Sequence, residues 1–358
     1  MKNLDASTMK MIKTFGIFVG VLVVLFIILF IFMGLAGNKV GDTQLLNTIE
    51  NAAKRYYADH KDELPKIEGE TVKVSTDTLI SGKYLKSFDK LTKNTGCSGD
   101  VKVTNNGGEY AYNPSIKCSE YKTTTIADKV ESTLVKDGDG LYKDGNRYYY
   151  RGEYVNNYIK IGNLVYRIVS IDGKGYIKVV NPTATKSSYN WDDRYNVERD
   201  QAGVGVNDYE KSRLREGISK LYDNLDKYTK KYVVKYDWCV GHRSSDVIND
   251  EECMDTLKDY VGTLAAYEYA YASLDENCKN IYSGSCSNYN YFTKMINKDV
   301  WTITGVASNT YQVIYITSDS LDIKKTSSGA KVLTMFNIDG SNVYVSGDGT
   351  EKNPYIIR

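Results

Sequence analysis

The sequence predicts an α+β fold carried behind one N-terminal transmembrane helix. Residues 15–36 form an apolar run without charge, and beyond it segments with helical spacing alternate with segments typical of strands. We expect five parts, namely a cytoplasmic tail at 1–14, the transmembrane helix at 15–36, a small disulfide-stapled helix-plus-hairpin domain at 37–122, a linker at 123–136 and a larger mixed α+β domain at 137–358.

The apolar run from Phe15 to Ala36 is long enough to span a membrane. At about 1.5 Å of rise per residue it would form a helix of roughly 33 Å, against a hydrocarbon core of about 30 Å. A cleaved signal peptide has an apolar core of only about 7–15 residues, so it fits less well. Cleavage near Gly34 to Gly37 nevertheless stays open.

Charges beside this run predict its orientation. Lys2, Lys10 and Lys13 precede it and favour a cytoplasmic N-terminus, which leaves the C-terminal domains extracellular. The first expected partner is therefore the lipid bilayer, through residues 15–36. The spacing of Gly16 and Gly20 leaves open a homo-oligomer formed through the membrane helix.

Composition narrows the partners outside the cell. The net charge of +1 over 358 residues gives no electrostatic basis for binding nucleic acid. The 32 tyrosines have two explanations, a composition biased by an AT-rich genome or a surface that stacks on carbohydrate. We expect no cofactor.

All six cysteines follow the apolar run, on the side expected to be oxidising. They fall into three local pairs, which predicts the disulfides Cys97–Cys118, Cys239–Cys253 and Cys278–Cys286. Each short loop closed in this way should add about 3 kcal/mol of stability. The alternative is a zinc site on Cys239, His242 and Cys253, but no second ligand pair follows, so we expect no metal.

The small domain begins with helical spacing at Thr43 to His60, followed by a helix at Thr76 to Tyr84 and strands at 71–74, 101–104 and 109–112. Asn105 to Gly108 predicts the turn of a hairpin. A membrane helix running into an amphipathic helix resembles the layout of type IV pilins. That resemblance implies a structural component of a pilus-like or secretion assembly as an alternative function.

The larger domain is predicted to contain both strands and helices. Asp137, Asp139, Asp144 and Asn146 do not fit a calcium-binding loop and are interpreted as turns. The predicted strands are 147–150, 158–161, 164–171, 176–180, 300–304, 311–318, 332–338 and 343–345, and the predicted helices are 209–224, 227–234 and 255–273.

Several motifs of this domain occur together in a known order. They include YYYRG at 148–152, VYRIV at 165–169, GTLAAYEYA at 262–270 and GDGT at 347–350. In this order the chain resembles an uncharacterised family of membrane-anchored surface proteins of low-GC Gram-positive bacteria. It is similar, more distantly, to C-type-lectin-like and formylglycine-generating-enzyme-like domains, which implies a mixed α+β fold with long loops.

The leading hypothesis for function is a membrane-anchored extracellular binding or adhesion protein with a glycan or protein ligand. A long segment rich in aromatic and acidic residues supplies the candidate ligand-binding residues Tyr189, Trp191, Asp192, Asp193 and Tyr195. The sequence leaves open whether Trp191 lies at the surface or in the core, whereas Trp238 and Trp301 are candidates for the core.

We do not expect an enzyme, because the chain has only His60 and His242 and lacks the common catalytic motifs. A cell-wall hydrolase stays open as a further alternative, since glycoside hydrolysis needs two converging carboxylates. The candidate pairs are Asp192 with Asp193, Glu251 with Glu252, and Asp246 with Asp250.

Overall fold

The computed structural model describes residues 42–358, and its fold is mainly β. Strands make up 34% and helices 22% of it. The α+β class predicted from the sequence is therefore wrong, because segments with helical spacing form strands or short turns instead. The predicted transmembrane helix, residues 15–36, lies outside the described residues. Within residues 42–358, no helix combines the length and apolar character needed to cross a bilayer.

The described strands are β1 (Thr71–Ser75), β2 (Ser98–Asn106), β3 (Glu109–Lys117), β4 (Gly140–Asp144), β5 (Arg147–Arg151), β6 (Tyr158–Ile161), β7 (Leu164–Ile171), β8 (Tyr176–Val180), β9 (Tyr189–Asn190), β10 (Arg194–Asn196), β11 (Gln201–Ala202), β12 (Val233–Val234), β13 (Tyr236–Cys239), β14 (His242–Arg243), β15 (Thr256–Asp259), β16 (Val261–Gly262), β17 (Val300–Val306), β18 (Gln312–Ile316), β19 (Leu321–Lys325), β20 (Gly329–Ala330), β21 (Met335–Asp339), β22 (Tyr344–Ser346) and β23 (Tyr355–Ile357). The α-helices of this part of the chain are Asp42–Asp59, Thr76–Ser81, Phe88–Leu91, Ile126–Glu131, Arg213–Asp223, Lys227–Lys230 and Ala266–Tyr271. Its short 3₁₀ helices are Lys61–Glu63, Glu251–Met254, Gly284–Ser287 and Thr293–Met295.

The chain divides into two compact units, the first of which contains residues 42–59, 74–101 and 116–122. The helix Asp42–Asp59 forms here because apolar residues recur along one of its faces, and they are buried: Leu45, Leu46, Ile49, Ala52, Ala53 and Tyr57. The helix Thr76–Ser81 begins after Ser75, whose hydroxyl accepts a hydrogen bond from the Thr78 N–H.

The second unit contains residues 60–73, 102–115 and 123–358. Its main sheet has ten strands. Seven of them follow one another in the order β12, β21, β8, β7, β6, β23, β22, while β16 also pairs with β21, β5 with β7, and β4 with β5. Every residue of β21 is buried, as are most residues of β7 and β8, because these apolar strands lie in the core. A second sheet has the order β14, β17, β18, β19.

The three disulfides are confirmed, and they join Cys97 with Cys118, Cys239 with Cys253 and Cys278 with Cys286. These are the local pairs that the sequence predicts. Since a metal ligand must be a free thiolate, the zinc alternative on Cys239 and Cys253 is wrong.

Two predicted helices are wrong. Residues 255–273 form β15 and β16 before a short helix at Ala266–Tyr271, and β15 pairs antiparallel with β13. The neighbouring Cys239–Cys253 disulfide holds the chain beside β13, so strand pairing overrides the helical spacing. Residues 227–234 form one helical turn at Lys227–Lys230 and then β12, which pairs with β21.

Candidate functional site

Two neighbouring cavities of the second unit form the candidate site. They share Asn146, Arg147, Tyr149 and Tyr267 as lining residues, and their volumes are about 380 and 400 Å³. Each volume lies within the range of about 300–1,000 Å³ that is typical of small-molecule sites. We call the two cavities together the tyrosine groove, because their lining includes Tyr149, Tyr176, Tyr236, Tyr267 and Tyr271.

The floor of the tyrosine groove is a row of side chains across the ten-stranded sheet. Tyr149 of β5 lies opposite Ser170 of β7, which in turn lies opposite Lys178 of β8. Lys178 lies opposite Asn337 of β21. Directly opposed residues project from the same face of a sheet, with Cβ atoms about 4.5–5.5 Å apart. Strand register therefore places a phenol, a hydroxyl, an ammonium and an amide side by side, and all four residues line the first cavity.

One wall of the groove is the hairpin of β13 and β15, which the Cys239–Cys253 disulfide closes. It contributes Tyr236, Asp237 and both of these cysteines to the lining of the first cavity. Trp238, between the two lining residues Asp237 and Cys239, points into the core and donates its indole N–H to the Asp259 carbonyl at 3.0 Å.

A buried ion pair fixes the loop at the edge of the second cavity. Arg243 is 2% exposed, and its Nε and Nη2 lie 3.1 and 2.6 Å from the two carboxylate oxygens of Glu252. Its guanidinium also donates to the backbone carbonyls of Ser245, Val247 and Asn249. Because the same loop contributes Ile248, Asn249 and Asp250 to the cavity wall, this ion pair holds that wall in place.

The groove hydroxyls remain protonated near neutral pH. Burial raises the pKa of Tyr149 and raises that of Tyr267 well above its usual value. Burial, and then the hydrogen bond from its hydroxyl to Asp172 Oδ2 at 2.6 Å, raises the pKa of Tyr236. Burial and a hydrogen bond to Asp144 do the same for Tyr271. The groove thus presents neutral phenol rings that can donate hydrogen bonds.

Charged groups of both signs stand among these rings. Arg147 lines both cavities and lies 2.8 Å from Asp250 Oδ2. Lys174, Asp172 and Asp237 also line the first cavity. The site therefore suits a polar ligand with both donors and acceptors better than a strongly charged one.

A buried polar cluster, which we call the Lys178 cluster, consists of Lys178, Glu268 and Asn337. Lys178 Nζ donates to Glu268 Oε1 at 2.5 Å and lies 5.1 Å from the Trp238 ring centroid. The other carboxylate oxygen of Glu268 accepts from the Ala265 N–H at the start of the helix Ala266–Tyr271. Asn337 is 1% exposed, and its Nδ2 has no hydrogen-bond partner among the described residues. Such a group costs about 1–3 kcal/mol and calls for a physical explanation.

The residues predicted to bind ligand lie elsewhere, and none of the five lines either cavity of the tyrosine groove. Trp191 is fully buried and donates its indole N–H to the Thr302 carbonyl at 3.1 Å, so it is a core residue. Trp238 and Trp301 are buried as well. Tyr189 is half-buried in β9, and Tyr195 is 57% exposed.

The two predicted ligand-binding aspartates are held in ion pairs. Asp192 is buried and accepts hydrogen bonds from Nε and Nη2 of Arg194 at 3.1 and 2.7 Å. Asp193 lies 2.6 Å from Arg213 Nε. Burial opposes ionisation of Asp193, but the hydrogen bond and charge of Arg213 outweigh it and lower the pKa. These contacts engage both aspartates of the segment 189–195 in ion pairs, while Tyr195 stays exposed.

The other carboxylates proposed for hydrolysis are also engaged. Glu252 is paired with Arg243, and Glu251 accepts from the hydroxyl and the N–H of Ser244. Asp246 is exposed, while Asp250 lines the second cavity beside Arg147. Across residues 42–358, no three metal-ligating side chains are grouped closely enough to hold an ion.

Sequence reasoning missed the Lys178 cluster, although a signal for it exists. Each member interrupts an apolar run, in YIKVV at 176–180, LAAYEYA at 264–270 and MFNID at 335–339. A polar residue at such a position must find a buried partner, so the three runs together indicate a polar cluster in the core.

No family model, curated protein or solved structure matches this chain.

Proposed function

We propose that this protein is a membrane-anchored surface protein that binds a glycan outside the cell through the tyrosine groove. The observation that carries the proposal is the lining of the groove, where five neutral tyrosines surround two adjoining cavities of ligand size. Membership of the Gram-positive surface family that the motifs resemble is part of the same proposal.

The chemistry of the groove matches the two kinds of surface on a sugar. The rings of Tyr176 and Tyr236 meet edge to face, with centroids 5.7 Å apart, and offer apolar area to the C–H face of a pyranose. Arg147, Asp172 and Asp237 supply donors and acceptors for hydroxyl groups. This mixture of aromatic area and a few polar groups is typical of sites that bind neutral polar ligands.

Two further observations support a location at the cell surface. The chain has three disulfides. Disulfides persist in an oxidising environment such as the outside of the cell. The uncharged apolar run at 15–36, preceded by Lys2, Lys10 and Lys13, is suited to anchor the chain with its N-terminus in the cytoplasm.

An array of bacterial cell-wall and host glycans, probed with the full chain purified in detergent, tests the proposal. We expect the parent to bind, and Tyr176→Ala and Tyr271→Ala each to weaken binding at least about tenfold, which corresponds to ~1.4 kcal/mol. Tyr228→Ala is the matched control, because Tyr228 is 53% exposed and does not line the groove.

Circular dichroism of each variant separates a loss of binding from a loss of folding. A folded parent that binds no glycan, or groove variants that bind like the parent, would contradict the proposal. Isolation from native membranes as a fibre would instead favour the pilus-like alternative, whereas a monomer or dimer agrees with a binding role.

A further inference from the structure

The Lys178 cluster combines three features that binding does not explain. An amine, a carboxylate and a primary amide lie together in the core, and Lys178 and Asn337 are directly opposed on adjacent strands. The three residues are 8%, 3% and 1% exposed for Lys178, Glu268 and Asn337 respectively. The amide nitrogen of Asn337 has no partner among the described residues, although Asn337 is paired on both sides, with Lys178 of β8 and with Val234 of β12.

We propose that Lys178 and Asn337 become joined by an amide bond between their side chains, formed by the protein itself with Glu268 as the proton carrier. The bond links Nζ of Lys178 to Cγ of Asn337 and releases the Asn337 Nδ2 as ammonia. Nothing beyond the folded chain takes part, since neither an oxidant nor a cofactor is needed.

The proton balance follows from the hydrogen bond already present. An ammonium cannot attack a carbonyl carbon, so Lys178 first passes one proton from Nζ to Glu268 Oε1, 2.5 Å away. The neutral amine attacks Cγ of Asn337, and a second proton moves from the attacking nitrogen to Nδ2. The Cγ–Nδ2 bond then breaks, and ammonia leaves with the proton that Glu268 held, as ammonium. Glu268 ends as the carboxylate it was at the start.

The surroundings favour this reaction. Strand register places Lys178 directly opposite Asn337 on one face of the sheet, and reacting groups held close in this way avoid the entropic cost of an encounter in solution. The Trp238 ring centroid lies 5.1 Å from Nζ, and each of the three cluster residues is at most 8% exposed. Because Lys178 and Asn337 also line the groove, ammonia has a route to solvent.

The bond would also explain the unpartnered amide nitrogen. Nδ2 is the leaving group, so a hydrogen bond to it would have to break during the reaction. Once the bond forms, β8 and β21 are joined covalently within the ten-stranded sheet. These two strands can then no longer separate when the chain is pulled.

Intact-mass spectrometry of the full chain, with its disulfides reduced, tests the proposal on the parent itself. We expect a mass lower than that of the sequence by one ammonia. A tryptic digest should contain one joined peptide that carries both Lys178 and Asn337, with no cleavage after Lys178.

Variants assign the roles. Lys178→Arg and Asn337→Ala should each keep the full sequence mass, because one reacting group is missing. Glu268→Gln keeps the size of the side chain but cannot take the proton, so it should also keep the full mass. Lys102→Arg is the matched control, because Lys102 Nζ donates at 2.6 Å to the carboxylate of Asp339, which lies on β21 as Asn337 does. Lys102 takes no part in the proposed reaction, so this variant should still lose ammonia.

Two results would overturn the proposal. One is a folded parent with the full sequence mass. The other is a loss of ammonia confined to a peptide that contains Asn337 without Lys178, which would indicate a cyclic imide of the asparagine with its own backbone. Both results are measured on the parent protein, so misfolding of a variant affects neither of them.

Discussion

Replacing Glu252 by alanine should strongly destabilise the second unit. The substitution removes the nearest carboxylate of the Arg243 guanidinium, whose side chain is 1% exposed, and leaves it Glu251 Oε2 at 3.7 Å. It also removes the acceptor of the Thr304 hydroxyl, which lies 3.1 Å from Glu252 Oε1. Breaking one side of a buried ion pair typically costs about 3–5 kcal/mol, because the remaining charge stays buried. The more distant Glu251 offsets part of this cost, so we expect a value at the lower end of that range.

Thermal unfolding of the full chain, followed by circular dichroism, measures this effect. One kcal/mol shifts the midpoint of a domain of this size class by about 2–4 °C, so we expect a decrease of ~10 °C. The control is Asp250→Ala, which breaks the pair of Arg147 with Asp250. Those side chains are 38% and 51% exposed, and an exposed pair contributes about 0.2–1 kcal/mol.

The loop gives a second measurement for the same variant. Hydrogen exchange of residues 244–250 should accelerate in Glu252→Ala, since Arg243 holds three carbonyls of that loop. If Glu252→Ala and Asp250→Ala lower the midpoint equally, the ion pair does not stabilise this wall of the groove and the reasoning fails.

Three further predictions concern the core, a disulfide and pH. Trp191→Ala should lower the free energy of unfolding by about 3–5 kcal/mol in a urea titration, because it empties a fully buried site; parent-like unfolding would contradict this. Replacing Cys97 and Cys118 together by serine should lower the free energy of unfolding by about 3 kcal/mol in the same assay, because the disulfide restricts the unfolded chain. An unchanged midpoint would contradict this reason. Burial raises the pKa of Tyr166 to about 12, against about 10 in an unfolded chain. The stability that the protonated Tyr166 phenol contributes is therefore complete below about pH 10 and is lost as the pH rises towards 12. Phenolate absorbance and unfolding measured from pH 9 to 12 will check this, and ionisation of Tyr166 near pH 10 in the folded protein would refute it.

The central sheet could be predicted because its signals are local. Strands β6, β7 and β8 have the bounds that the alternation and the apolar runs indicate. Asp172 accepts from the Lys174 and Tyr176 N–H groups in the turn between β7 and β8, and Gly175 has a φ of +83° there. The disulfides were predictable for a similar reason, since each joins cysteines that are neighbours in sequence order.

The helix predicted at 255–273 failed because spacing alone does not fix a conformation. Leu257 pairs across to Trp238, and the Cys239–Cys253 disulfide closes the same hairpin. These distant contacts decided the local structure of this segment, which adds two strands to a fold that is mainly β.

The candidate site could not be predicted because register creates it. Tyr149, Lys178 and Asn337 belong to distant parts of the chain and meet only when β5, β7, β8 and β21 pair. The segment 189–195 looked like an exposed binding loop by composition. Its aspartates instead pair with Arg194 and Arg213, and Trp191 lies in the core, which the sequence alone did not decide.

Nitration of tyrosines, with and without the oligosaccharide that gives the strongest array signal, tests the central proposal most directly. The full chain is treated with tetranitromethane, and the modified residues are located by mass spectrometry. We predict that the ligand protects the half-buried groove residues Tyr176 and Tyr271 while the exposed Tyr195 and Tyr228 react equally in both samples. Protection of Tyr195 with no change at Tyr176 and Tyr271 would place the ligand at the segment 189–195 and contradict the account.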